Sequence, residues 1–202
     1  MHPGPAFAWT DEGEMLEFVG TRGFAHIFTA APEGPRVAHA PLLVMDSGRI
    51  QFHLARSNRA AGSIAGNRVL ISVSDLDAYH SANWYMSENQ VPTWHYQAVE
   101  IEGFAREIGP DELVAQLDGL SARFEGLFQP EAPWTRDKMD PRRFAAFTRA
   151  ITGYEVTPEV IRGTRKFNQH KSGDDIEANM RGLIEAGRSD VADAIRRHWP
   201  GE

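Results

Sequence analysis

Three side chains that suit a phosphate stand in successive positions, Arg56, Ser57 and Asn58. Arginine offers a planar fork of donors, serine an orientable hydroxyl and asparagine an amide donor. They follow Phe52-His53-Leu54-Ala55, which alternates like a strand. They open the stretch from Arg56 to Asn67, whose composition predicts a short helix with Ser57 or Asn58 as N-cap and Gly66-Asn67 as its stop. A strand-to-helix junction would add the free N–H groups of a first helical turn, a second reason for an anion to settle there. The same residues also read as an ordinary N-cap beside a surface arginine, and capping explains Ser57 and Asn58 without a ligand.

A second cluster is aromatic. Tyr79-His80-Ser81-Ala82-Asn83-Trp84-Tyr85 and Val91-Pro92-Thr93-Trp94-His95-Tyr96 place three tyrosines and two tryptophans close together. Such a group can sandwich a planar cofactor or simply pack a core, because Trp and Tyr join a flat apolar body to a polar handle. A third element, Ile161 to Lys171, gathers Arg162, Arg165, Lys166, His170 and Lys171. It reads either as a solvated basic loop or as a segment closing over an anion or an acidic backbone. Histidine is plentiful, but no HExxH or HxH spacing occurs, so no metal site is expected. GxSxG, GxGxxG and GxxxxGK[ST] are all missing, which argues against a nucleophile elbow, a Rossmann site and a P-loop. Nothing designates an acid–base residue beyond a guess at His95 or Tyr85.

The elements that must carry these groups are mainly strands. Ile50, Phe52 and Leu54 alternate with Arg49, Gln51 and His53, as a half-buried strand requires. The turn Met45-Asp46-Ser47-Gly48 makes Arg36 to Met45 its hairpin partner. Phe24 to Ala30, Val69 to Ser74 and His95 to Phe104 supply further strands, so closely spaced that a barrel or sandwich is expected rather than βαβ units. Pro110-Asp111-Glu112 starts a helix with Leu113, Leu117, Leu120, Phe124 and Leu127 on one stripe. Asp140-Pro141 caps another through about Arg149, and Gln129 to Met139 is a loop. Thr152 to Arg162 reads as one last strand, followed by a helix capped at Asp174-x-x-Glu177 and a final helix from about Val191 to His198.

Composition narrows the classes. The 202 residues carry a net charge of -7, which opposes the counterion release that drives nucleic-acid binding. With no cysteine, there is no disulfide, thiolate metal site or iron–sulfur cluster. No apolar run approaches the ~20 residues that span a bilayer, and no secretory signal pattern opens the chain. The expectation is a cytoplasmic protein without a membrane segment.

Taken in order, these segments resemble the PaiB-type family of flavin-binding negative transcriptional regulators, within the FMN-binding split-barrel superfamily. The resemblance rests on Met1-His2-Pro3-Gly4-Pro5-Ala6-Phe7, on His39-Ala40-Pro41-Leu42-Leu43, and on Phe52 to Asn58, which is similar to H-L-A-R-x-N. It continues through Tyr79 to Tyr85, similar to Y-x-S-P-x-W-Y, through Val91 to Tyr96, and through Lys166 to Lys171, similar to K-L-S-Q-N-K. Ala82, Phe167-Asn168 and His170 depart from those patterns.

The resemblance implies one split-barrel domain over 1–202, mainly β with helices, with 172–202 as a helical extension. It implies a homodimer holding FMN at the subunit interface, with the phosphate on Arg56, Ser57 and Asn58. The flavin ring would lie along Pro41, Leu42 and Leu43, closed off by Trp84, Tyr85 or Trp94, with His39 and His53 on ring or ribityl oxygens. Lys166 and Gln169 are retained as further contacts. The implied function is a flavin-binding regulator acting through DNA or a protein partner. The alternatives are a flavin-dependent oxidoreductase or flavin reductase, and a barrel that has lost its cofactor.

Overall fold

The computed structural model describes residues 4–199, so Met1, His2 and Pro3 of the opening motif lie outside the described residues. In chain order the elements are β1 (Ala8–Trp9), α1 (Glu12–Arg22), β2 (Phe24–Ala31), β3 (Gly34–Val44), β4 (Ile50–Ala55), β5 (Arg68–His80), β6 (Thr93–Glu107), α2 (Pro110–Phe128), α3 (Pro141–Arg149), β7 (Ile151–Val156), β8 (Val160–Lys166), α4 (Gly173–Glu185) and α5 (Ser189–His198). They form two compact units. A barrel unit comprises Glu12–Val73 and Glu100–Ile161, and a second unit takes the described residues up to Asp11, Ser74–Val99 and those from Arg162 onward. No helix among the described residues is long and apolar enough to cross a membrane.

Within the barrel unit the strand order is β6-β5-β2-β3-β4-β7, and β7 pairs back onto β6 to close the ring. Closure leaves no free edge, so each strand must bury one face inward and present the other outward. The inward set is apolar: Ile27, Leu42, Ile50, Phe52, Ile71, Ile101 and Val156 are fully buried. Phe52 stacks on Tyr154 at 5.3 Å between centroids, and the Tyr154 hydroxyl donates to the Ala61 carbonyl at 3.0 Å. The outward face of β2 and β3 carries Phe24, His26 and Phe28 opposite Pro41, His39 and Val37. Between β3 and β4 the chain turns at Gly48, whose φ of 77° falls where only glycine is comfortable.

The outward face of β4 and β7 holds a polar cluster. Glu155, only 3% exposed, accepts from Gln51 at 2.8 Å, Arg49 at 2.9 Å and Arg106 at 2.7 Å. Burial pushes its carboxyl upward, but these donors outweigh burial and hold it below the usual carboxylate range. Arg106 also grips Glu112, which accepts from the Gly109 N–H and so fixes the start of α2.

The second unit orders its strands β1-β8-β6-β5. The paired helices α4 and α5 bury Ile176, Leu183, Val191 and Ile195 together with Phe167 and Ala78.

Four expectations are corrected. The stretch from Arg56 to Asn67 is a chain of turns with a single 3-10 turn at Ala61–Ser63. Asn58 Oδ1 accepts from the Ala60 N–H at 2.9 Å, a local bond that competes with helix, and the Ala-Ala-Gly-Ser run offers no apolar face to dock one. The expected strand from Thr152 to Arg162 is two, β7 and β8, broken at Pro158, which has no N–H for a ladder. The cap of α4 is Ser172 rather than Asp174: the Ser172 hydroxyl accepts from the Asp175 N–H, and Asp174 falls inside the first helical turn. Leu127 leaves the α2 stripe and is 70% exposed. Helix α1 escapes sequence reading because Gly13 and Gly20 interrupt it and only Met15, Val19 and Gly20 are buried.

Gly103 marks the tightest approach in the barrel. A Cβ there would collide with the Thr157 carbonyl and stand 2.9 Å from Val156 Cγ1, whereas one at Gly62 would meet nothing within 4 Å. Gly103→Ala is expected to cost about 1–3 kcal/mol in urea unfolding. Gly62→Ala should stay within about 0.5 kcal/mol of the wild type. Equal midpoints for the two variants would contradict this packing.

Candidate functional site

Strand β4 sends His53 outward, the opposite way from Phe52 and Leu54, and α2 packs over that face. A cavity of about 420 Å³ opens there. Pro41 and His53 line it from the strands, Leu117, Leu120 and Phe124 from α2, Trp134 from the loop, and Phe144, Phe147, Thr148 and Ile151 from α3 and the start of β7. Its walls are largely aromatic and aliphatic, with a few polar groups, as a planar ligand requires. His53 Nδ1 lies 3.2 Å from Gln116 Oε1. Burial lowers the His53 pKa from its ordinary value, against a smaller upward pull from Gln116, so the ring is neutral at pH 7.

Arg56 lines a neighbouring cavity of about 190 Å³ with Pro110, Leu113, Arg149 and Thr152. Thr148 and Ile151 line both cavities, so the two share a wall. The Arg56 backbone N–H donates to the Ala150 carbonyl and its Nε to the Arg149 carbonyl, both at 2.9 Å. These bonds seat the guanidinium at the C-terminal end of α3. Among the described residues no carboxylate forms an ion pair with Arg56, which leaves its terminal nitrogens for an anion.

The other expected contacts divide between the units. Ser57 is exposed, and Asn58 spends its Oδ1 on the turn, keeping only its amide N–H groups. His39 is exposed and meets His26 edge-on at 4.8 Å. Leu42 faces the barrel core, so its side chain cannot reach a ligand outside the barrel. Leu43 packs against Gly119 of α2.

Trp84, Tyr85, Trp94, Lys166 and Gln169 belong to the second unit, where most already have partners. Trp84 sits on Gly182, and Tyr85 Oη accepts from Asn168 at 2.8 Å. Lys166 donates to Thr93 Oγ1, and Gln169 ties together Ala6, Arg165 and Phe167. Trp94 is 52% exposed. Among the described residues no three His, Asp or Glu side chains converge as metal ligands.

Sequence reasoning passed over Gln116, Trp134, Phe144, Thr148 and Ile151. Gln116 left a signal: it occupies a core position of α2 three residues after Leu113, where an apolar side chain belongs.

The barrel with its outer helices has the FMN-binding split-barrel fold. Solved structures share it. A conserved hypothetical protein, Rv2991 from Mycobacterium tuberculosis, is 18% identical with a TM-score of 0.59, covering 82% of this chain and 90% of that one. The FAD and heme binding protein from Mycobacterium smegmatis is 16% identical with a TM-score of 0.59, covering 79% of this chain and 73% of that one. The family described as "Putative FMN-binding domain" matches residues 1–159. The protease synthase and sporulation protein PAI 2 of Bacillus subtilis (strain 168) is 30% identical over 173 residues, 84% of this chain and 82% of that protein. The chain belongs to this PaiB-type family of FMN-binding proteins, and its cofactor is FMN.

The second unit contains a buried histidine pair. His95 Nδ1 faces the Lys166 carbonyl at 3.2 Å and His95 Nε2 faces His80 Nδ1 at 2.9 Å. The carbonyl can only accept, so Nδ1–H of His95 donates to it, and Nδ1–H of His80 donates to the free lone pair of His95 Nε2. Both pKa values fall to about 4, chiefly through burial. Lys171 adds to the fall at His80 and the Asn179 side chain opposes it; at His95, His80 adds to the fall.

A histidine whose folded pKa lies below its unfolded value costs stability on acidification, because the unfolded chain takes the proton first. Stability is expected to be full above about pH 6.5 and to decline steadily down to about pH 4. His95→Gln should flatten that decline. Urea midpoints followed by tryptophan fluorescence across this window check it, and a wild-type midpoint independent of pH would refute it.

Proposed function

We propose that the barrel unit holds FMN with its ring in the larger cavity and its phosphate at Arg56, Ser57 and Asn58. The observation that carries this reading is the convergence of Pro41, His53 and Arg56 on two cavities sharing Thr148 and Ile151. The larger cavity is of the size that small-molecule sites occupy, roughly 300–1,000 Å³, and its aromatic walls suit a flat ring. Arg56 supplies a guanidinium that forms no ion pair among the described residues, although Glu107 lines the same cavity, while Ser57 Oγ and the Asn58 amide add neutral donors. This grip relies on side chains alone, since the 3-10 turn at Ala61–Ser63 is too short to contribute a helix terminus. When bound, the flavin supplies electron or hydride transfer, and the protein orients it and tunes its surroundings.

The protein acts as a homodimer of the transcriptional-regulator type, with FMN at the subunit interface. Support for a dimer comes from the outward face of β2 and β3. There Phe24, Phe28 and Val37 remain 53%, 39% and 39% exposed, and Phe28 and Val37 are cross-strand partners. Support for regulation comes from the Bacillus subtilis relative, which is named protease synthase and sporulation protein PAI 2. The net charge of -7 favours a protein partner over direct contact with DNA. The basic segment agrees with this: Arg165 lies over the Trp9 ring, Lys166 binds Thr93 and Lys171 binds Gln90, so these cations are engaged within the unit.

Fluorescence titration with FMN tests the site. Arg56→Ala should weaken binding by about ten- to a hundredfold, the value of a charge-assisted hydrogen bond of about 1.5–3 kcal/mol. Thermal unfolding should be little changed. Unaltered affinity would move the phosphate elsewhere. NAD(P)H oxidation by the flavin-loaded protein, alongside a salt-titrated DNA-binding assay, separates regulator from oxidoreductase: steady turnover without any DNA complex would favour the enzyme.

A further inference from the structure

Gln116 is fully buried on α2, a position where a polar side chain must justify its desolvation. Its Oε1 meets His53 Nδ1, and its Nε2 has no hydrogen-bond partner. An amide oxygen only accepts, so the proton of this bond belongs to His53 Nδ1. In a neutral imidazole the other nitrogen then carries a lone pair. His53 lines the larger cavity, and Nε2 is the one polar atom its ring has left to offer there. Around it the wall is apolar on most sides. Among the charged groups of the same wall, Arg136 pairs with Asp118 at 3.5 Å and Glu125 Oε2 accepts from the Trp134 N–H at 3.1 Å. None of these contacts involves the imidazole.

We propose that Gln116 is a positioning residue: it locks His53 in the Nδ1–H tautomer and so equips the cavity with a hydrogen-bond acceptor that selects planar ligands bearing an N–H edge. This rests on the reading that the cavity receives the flavin ring. Oxidised isoalloxazine carries one ring N–H, at N3, so that edge is the one His53 Nε2 recognises. The role differs from a general base, since Nε2 accepts without removing the proton. It also differs from a packing role, because a side chain that merely filled space would leave the tautomer undetermined.

The first measurement is a long-range 1H–15N spectrum of the full chain labelled with 15N-histidine, free of flavin and near pH 7, with His53→Asn used to identify the His53 signals. Expected is a protonated Nδ1 and a bare Nε2 in the wild type, and loss of this preference in Gln116→Met, which keeps the side-chain volume. A wild-type ring protonated at Nε2, or an unchanged tautomer in Gln116→Met, overturns the proposal.

The second measurement compares FMN with its N3-methyl derivative. The wild type should bind the methylated flavin up to about tenfold more weakly, the value of one hydrogen bond. Gln116→Met should narrow that gap to about twofold or less, as expected when two groups act through one interaction. A gap that persists in Gln116→Met reports steric exclusion by the methyl group, and no gap in the wild type means that N3–H is not read. Either result overturns the selection. If the wild type takes up neither flavin, the cavity reading fails, while the histidine spectrum still decides the role of Gln116.

Discussion

Closure of the ring through β7 is the constraint on which the rest depends. β7 pairs with β4 along six residues and with β6 along three, so β4 has no free edge and its side chains are committed to two faces. Ile50, Phe52 and Leu54 fill the interior. Gln51 and His53 are thereby sent to the outside, where α2 covers them. A slip of one residue in β4 would exchange the two sets and put a histidine into the core.

Covering a polar face with a helix raises a cost that each buried group must meet. Glu155 meets it with three donors from Arg49, Gln51 and Arg106. Arg106 in turn anchors Glu112, so the same network that neutralises the carboxylate fixes the first turn of the covering helix. Farther along α2, Gln116 and His53 satisfy each other only in part, leaving one amide nitrogen without a partner. The cavity is lined by His53 and not by Gln116, so a ligand meets this pair through the imidazole alone. In the second unit a pair of neutral histidines ending on a backbone carbonyl meets the cost only in part, since His80 Nε2 is left without a partner among the described residues.

Much of the fold was legible because it depends on local pattern. The alternation in β4, the Asp46-Ser47-Gly48 turn, the Pro110 start of α2 and the Asp140 cap of α3 are each written within a few residues. What was not legible involved competition between local and distant partners. Asn58 prefers its own turn to a helix, and beside the expected cap Asp174 it is Ser172 that caps α4 while Asp175 is held by Met86 and Ser87. Pro158 ends one strand and lets the next begin, and the two halves then find different neighbours.

The sequence by itself determined the residue types that can hold a phosphate and a flat ring, and their order along the chain marked the family. Tertiary structure decided which of them share a place. Arg56 lines a wall with Thr148 and Ile151 because β4 pairs with β7 and α3 feeds directly into β7, a closeness across about a hundred residues that no local spacing encodes. Leu42 was turned into the core by the pleat, one residue from Pro41, which was not. Gln116 was brought to His53 by the packing of α2 on the closed ring. The physical reason is the same in each case: period-two alternation and helical stripes fix which face a residue occupies, but only the closure of the barrel fixes what that face meets.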